Sequence, residues 1–154
     1  MTGTTDVEAL AAELAIRRVL AEYCHACDDG EYDQVAELFC DGGRFGFAGS
    51  EVAAPVELAE WLAAQALRVG RGKHVMSNIV IDVVDARADV VSDYVFLRRL
   101  GDVLEPMLAG RYRDRFVCQG EVWKIERRDA DVMRDSQRAT DASSARGNNR
   151  MENR

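Results

Sequence analysis

Residue 74 marks a change of hydrophobic period, and that change constrains the fold more than any other feature. Four long runs rich in β-branched and aromatic residues follow, over 74–84, 88–100, 104–118 and 122–133. Short turn signals separate them: Asp85-Ala86-Arg87, Gly101-Asp102 and Gly120-Glu121. Such runs read as strands, and strands joined by turns this tight pair antiparallel with their neighbours. Pro106 predicts that the third run starts late or lies at a sheet edge there, because proline cannot donate to a ladder.

The part before residue 74 reads as mostly helical. Thr5-Asp6-Val7-Glu8 is a capping box, and no Gly or Pro follows until Gly30. The spacing predicts one helix over 6–29, ending near Gly30. Its expected apolar stripe is Val7, Leu10, Leu14, Leu20, Tyr23 and Cys27, widened by Ile16 and Val19. A second helix is expected over 32–39, then a turn at Asp41-Gly42-Gly43, a short strand over 44–47 and a turn at Gly49-Ser50. Pro55 suits the first turn of a third helix, with Val56, Leu58, Leu62 and Ala63 on its apolar side and Trp61 beside them. A basic, glycine-containing loop follows over 68–73. Helices first and hairpin-linked strands last define an α+β fold. The expected shape is a cone-shaped α+β barrel, a curved antiparallel sheet wrapped around the long N-terminal helix with two shorter helices. Residues 1–133 form this domain. The segment 134–154 has no Val, Ile, Leu or aromatic residue and is expected to be a disordered polar tail.

Charge narrows the function. A formal net charge of −7 argues against nucleic-acid binding, which needs clustered cations. No apolar run is long enough to span a bilayer, and the N-terminus lacks a signal-peptide pattern. The expected location is the cytoplasm, where Cys24, Cys27, Cys40 and Cys118 stay reduced thiols.

Few residues are placed for chemistry. Asp28 closes a mostly apolar helix, and His74 opens the first long strand. Together they can form an acid/base pair across a pocket, since neutral imidazole transfers protons near pH 7. Alternatively, Asp28, Asp29 and Glu31 are solvated charges at a helix end, and His74 is a structural histidine. Met76, Asn78 and Val80 are expected on the His74 face. Cys24-His25-Ala26-Cys27 has redox and zinc spacing. It lies at the wrong helix end for thiolate chemistry and has no second ligand pair, so no metal is expected. On residues 110–116, Tyr112, Asp114 and Phe116 are expected to face away from Arg111, Arg113 and Arg115. The arginine face can carry cross-strand ion pairs or meet a partner chain.

The stretch Tyr-Cys-x-Ala-x-Asp-x-x-x-Tyr-Asp from Tyr23, the Leu-Phe after it, Lys-His-x-x-x-Asn from Lys73, Gly-Arg-Tyr-x-Asp from Gly110 and Trp-Lys-Ile-x-Arg-Arg from Trp123 resemble one family. It is the SnoaL-like branch of the nuclear transport factor 2-like superfamily. Its scytalone dehydratases, bile-acid dehydratases and hexachlorocyclohexane dehydrochlorinases use a helix-end Asp and a strand His as a dyad. The resemblance implies Asp28 and His74 as catalytic residues, and Tyr23 as a pocket tyrosine. It implies a cofactor-independent lyase or isomerase, of dehydratase or dehydrohalogenase type, acting on a hydrophobic cyclic or polyketide-like molecule. Scytalone dehydratase carries a further His on the following strand, where this chain offers Asp93, Val95 and Leu97, and a Tyr where this chain has Cys27. Phe45, Phe47, Trp61, Met76, Asn78, Val95, Leu97 and Leu108 are the other expected substrate-binding residues. The alternative is a non-catalytic or ligand-binding module, like the small subunits of ring-hydroxylating dioxygenases. The expected partners are a hydrophobic small molecule and a second or third copy of the chain, a homodimer or homotrimer through the sheet face, with no nucleic acid and no membrane.

Overall fold

Thr5 starts the first helix as its capping box requires. Its hydroxyl accepts from the Glu8 backbone N–H, and the Glu8 carboxylate accepts from the Thr5 N–H. In the structure, a computed structural model that describes residues 5–133, helix α1 then runs Asp6–Asp29. Gly30 stops it at φ 79°, a left-handed conformation that suits glycine. The Gly30 N–H reaches the Cys27 carbonyl at 3.3 Å, and the Glu31 N–H reaches Ala26 at 2.9 Å. These two bonds are a Schellman stop, and they fix Asp28 in the last turn.

The buried face of α1 is Ala12, Ile16, Leu20, Tyr23, Cys24, Ala26 and Cys27. Val7, Leu10 and Leu14, expected on the same stripe, are 76%, 58% and 62% exposed. At about 100° per residue they project from the far side of the helix. Helix α2 covers Tyr32–Glu37 and is shorter than expected, because Phe39 already opens strand β1, Phe39–Phe47. Asp41-Gly42-Gly43 is therefore no hairpin turn. It lies inside β1, where pairing slips between Phe39 and Arg44, an irregularity of the bulge kind. Strand β2, Ser50–Ala54, was not expected: five residues of weak strand propensity give little signal. Helix α3 begins only at Leu58 and ends at Val69, and Val56 before it is 85% exposed rather than buried.

Strands β3 (Gly72–Val84), β4 (Arg87–Leu100), β5 (Val103–Gln119) and β6 (Val122–Val132) follow as hairpins. The sheet order is β2-β1-β6-β5-β4-β3. All pairs are antiparallel except β1 with β6, which is parallel. The α+β class and the curved sheet packed on the long helix stand; the sheet is mixed rather than wholly antiparallel, and it stays open at β2 and β3. Pro106 sits where β5 pairs with β4 alone, since β6 ends opposite Gly110. That stretch is an edge, as proline requires. The segment 134–154 lies outside the described residues.

Helix α1 packs on β3 and β6, over the inward residues of β4, β5 and β6. Phe116, Ile125 and Val90 are buried there, and so are Asp114 and Arg128. Arg128 Nε and Nη2 donate to the Asp114 carboxylate at 2.8 and 2.7 Å. The same guanidinium lies 4.1 Å from the Tyr23 ring centre and 4.3 Å from that of Tyr112, a cation–π sandwich. The opposite face of β5 behaves as a solvated face. Arg111 pairs with Asp93 at 2.7 Å and Arg113 with Asp131 at 3.3 Å, all within one chain.

Removing one partner of a buried pair strands the other charge and costs about 3–5 kcal/mol. Asp114→Ala is therefore expected to lower unfolding free energy by about that amount, measured by urea titration. A loss below about 1 kcal/mol would mean that the pair behaves like a surface one.

Candidate active site

The last turn of α1 and the first residues of β3 meet through Asp28. Its Oδ1 accepts from the His74 backbone N–H at 2.9 Å and lies 2.7 Å from His74 Nδ1. Its Oδ2 lies 3.0 Å from Lys73 Nζ, a charge contact that is not aligned as a hydrogen bond. Arg71 Nη2 donates to the Asp28 backbone carbonyl at 2.8 Å. The Asp28 side chain is only 4% exposed. A carboxylate accepts, so the proton between the two groups belongs on Nδ1. Nε2 is left with a free lone pair and no hydrogen bond among the described residues.

Burial lowers the His74 pKa below its usual 6.5; the hydrogen bond and charge of Asp28 act the other way, and Arg128 and Lys73 add to the lowering. The imidazole is therefore neutral near pH 7, as a base must be. Burial also drives the phenols of Tyr23 and Tyr112 well above their ordinary range, so both stay protonated. Cys24 and Cys27 are pushed by burial up to about 11 and about 12. Thiolate chemistry is accordingly unfavoured for this pair. No cluster of metal-ligating side chains occurs among the described residues.

His74 opens onto a cavity of about 150 Å³ with mostly apolar walls. Of the residues expected from sequence, Tyr23, Phe45, Phe47, Trp61, His74 and Leu108 line it. Trp61 holds one wall, with ring centres 5.3 Å from Phe45 and 5.9 Å from Phe47. Asp28 stands behind His74 and does not line the cavity.

Four expected residues lie elsewhere. Met76 is on the inner face but packs into the core rather than the cavity. Asn78 sits in a bulge, at φ 51°, between Ser77 and Val80. The bulge reverses the alternation, so Ile79 and Ile81 turn inward while Asn78 and Val80 are exposed. The Asn78 amide donates to Asp93 at 2.9 Å on the outer face. Val95 and Leu97 also fail to line the cavity, because Tyr94 and Phe96 are the inward residues of β4. The lining that the sequence did not reveal includes Tyr32, Tyr94, Phe96 and Tyr112. On β4 a signal existed: Asp89 and Asp93 share a face with Val91, Val95 and Leu97, and two carboxylates mark that face as outward.

Fold and site together define a small cavity-bearing α+β domain. Residues 8–129 match the SnoaL-like domain family, and the chain belongs to it. No curated protein matches the chain. Among solved structures, a protein of unknown function from Mycobacterium tuberculosis is 26% identical with a TM-score of 0.78, over 83% of this chain and 80% of that one. A proposed scytalone dehydratase from Novosphingobium aromaticivorans is 23% identical with a TM-score of 0.72, over 82% and 87%. LinA is 22% identical with a TM-score of 0.72, over 84% and 90%.

The two neighbours of His74 have opposite effects on it, which an NMR titration of its ring protons resolves. Wild type is expected to titrate below 6.5, Asp28→Asn lower still and Lys73→Met higher. Because the folded form holds fewer protons than the unfolded chain just below pH 6.5, stability should fall as pH drops through that range. A wild-type His74 that titrates above 6.5 would contradict the burial argument.

Proposed function

We propose that this protein is a cofactor-independent lyase or isomerase that removes a proton from carbon in a hydrophobic cyclic molecule. The observation that carries the reading is the His74 ring, bonded through Nδ1 to a buried carboxylate 2.7 Å away while it lines an apolar cavity. Nε2 takes the proton, and the C–H electron pair forms a carbon–carbon double bond. In an elimination, the adjacent carbon loses a hydroxyl or halide with its bonding pair. The imidazolium then hands its proton to the departing hydroxide, giving water, or returns it to solvent after halide leaves. In an isomerisation, a double bond already present beside that carbon breaks as the new one forms, and its electron pair takes the proton back from the imidazolium at a different carbon of the same molecule. Asp28 holds the ring in one tautomer and orientation and balances the transient imidazolium, the role such a carboxylate can fill without accepting the proton itself.

The family resemblance and the SnoaL-like domain support this reading. The open cavity also supports it over a non-catalytic module, whose cone would be filled. Cavity size favours small substrates, since about 150 Å³ is a volume that accepts a benzene-sized molecule.

The test is turnover of a panel of hydroxylated and halogenated single-ring compounds. His74→Ala and Asp28→Asn are expected to cut kcat by about 10²–10⁴-fold with KM nearly unchanged. The wild-type rate should fall on the acid side as His74 gains its proton. No wild-type turnover, or variants as active as wild type, would reject the proposal.

A further inference from the structure

The cavity has a buried floor and an open mouth. Phe45 and Tyr112 line it and are buried, Tyr32 and Gln65 are half-buried, and Arg71 is exposed. Arg71 is the one lysine or arginine among the lining residues, and no aspartate or glutamate lines the cavity. With His74 neutral, the wall therefore carries a single full charge, and it is positive. This stands out in a chain of net charge −7.

The guanidinium reaches from the start of β3 across to the end of α1. Its Nη2 donates to the Asp28 carbonyl at 2.8 Å, and its atoms lie 3.4 Å from where a Cβ on Gly30 would stand. Cys27 and Tyr32, on either side of that turn, both line the cavity, so the guanidinium crosses its rim. Asp28 binds Arg71 through its carbonyl and His74 through its carboxylate. Cation and imidazole thus stand within one residue's reach of each other. Among the described residues no carboxylate lies within ion-pair distance of Arg71, although Asp29 and Glu31 border Gly30. Lys73, the other cation near this turn, is committed to Asp28.

Capping a helix carbonyl takes one N–H, and a guanidinium has five. The remaining donors form a fork that suits a carboxylate. A phosphate group carries nearly twice that charge, more than one arginine balances. We propose that Arg71 pairs with a carboxylate of the ligand, so that the cavity takes single-ring carboxylic acids, ring on the apolar floor and carboxylate at the mouth. The inference rests on the reading of the cavity as the ligand site, but it does not depend on His74 acting as a base.

The test is equilibrium binding of benzoate and of nitrobenzene, two probes of one shape of which only the first is charged, followed by NMR titration. Wild type is expected to bind benzoate the more tightly, and added salt should weaken benzoate while hardly affecting nitrobenzene. Arg71→Met is expected to weaken benzoate about 3–10-fold, the worth of a charge-assisted hydrogen bond partly screened by water, and to leave nitrobenzene unchanged. Arg71→Lys, which keeps the charge, should retain part of the preference for benzoate. Equal affinity of wild type for the two probes, no binding of benzoate, an equal loss of both probes in Arg71→Met, or an Arg71→Lys protein as impaired as Arg71→Met would overturn the proposal. Neither probe is turned over, so an inactive His74 would leave a positive result standing. Binding of nitrobenzene alone would refute the carboxylate and leave the cavity a ligand site.

Discussion

The contact between Asp28 and the start of β3 holds the site together. A carboxylate at a helix C-terminus faces the negative end of the helix dipole, and a buried one has also lost its hydration. Asp28 bears both burdens. Three neighbours offset them: the His74 N–H, the Lys73 ammonium and the Arg71 guanidinium on the adjoining carbonyl. The contact is structural, because it ties the end of α1 to an edge strand. It is also chemical, because the group that it orients is the imidazole facing the cavity. Gly30 is part of the same arrangement, since its left-handed turn ends the helix one turn past Cys27 and lets Arg71 pack alongside.

A fully buried ion pair also supports the cavity. Arg128 and Asp114 neutralise each other inside the sheet, and the guanidinium is gripped between Tyr23 and Tyr112. Such a pair adds little net stability over an apolar replacement. Its value here is positional, because two of the tyrosines that line the cavity are stacked on it. Tyr94 extends that stack by one more ring. The rigid aromatic layer and the Asp28–His74 contact thus fix different parts of one cavity.

Much of the fold was legible in the sequence, for reasons that can be named. The capping box and Gly30 bound α1 because each satisfies specific backbone groups, and β3 to β6 announced themselves by length and turn residues. Asp28 and His74 could be paired from their element ends together with the family resemblance. What failed was face assignment. Val7, Leu10 and Leu14 are apolar yet lie on the far side of α1, because two faces of the helix carry apolar residues. On β4 both faces are apolar toward the C-terminal half, so Val95 and Leu97 looked as suitable as Tyr94 and Phe96. On β3 a bulge at Asn78 reverses the alternation, and no local residue pattern forces a bulge there. The Arg128–Asp114 pair was hidden in the same way, since β5 and β6 slip in register between Arg115 and Phe116 and bring Arg128 inward.

The central claim is that His74, held by Asp28, takes a proton from carbon inside the cavity. Hydrogen–deuterium exchange at the carbons beside the carbonyl of cyclohexanone, followed by NMR in deuterated water, tests that step without needing the natural substrate. The account predicts exchange faster than in buffer with wild-type protein, and a return to the buffer rate with His74→Ala. Exchange at the buffer rate with wild type, or undiminished exchange with His74→Ala, would contradict it.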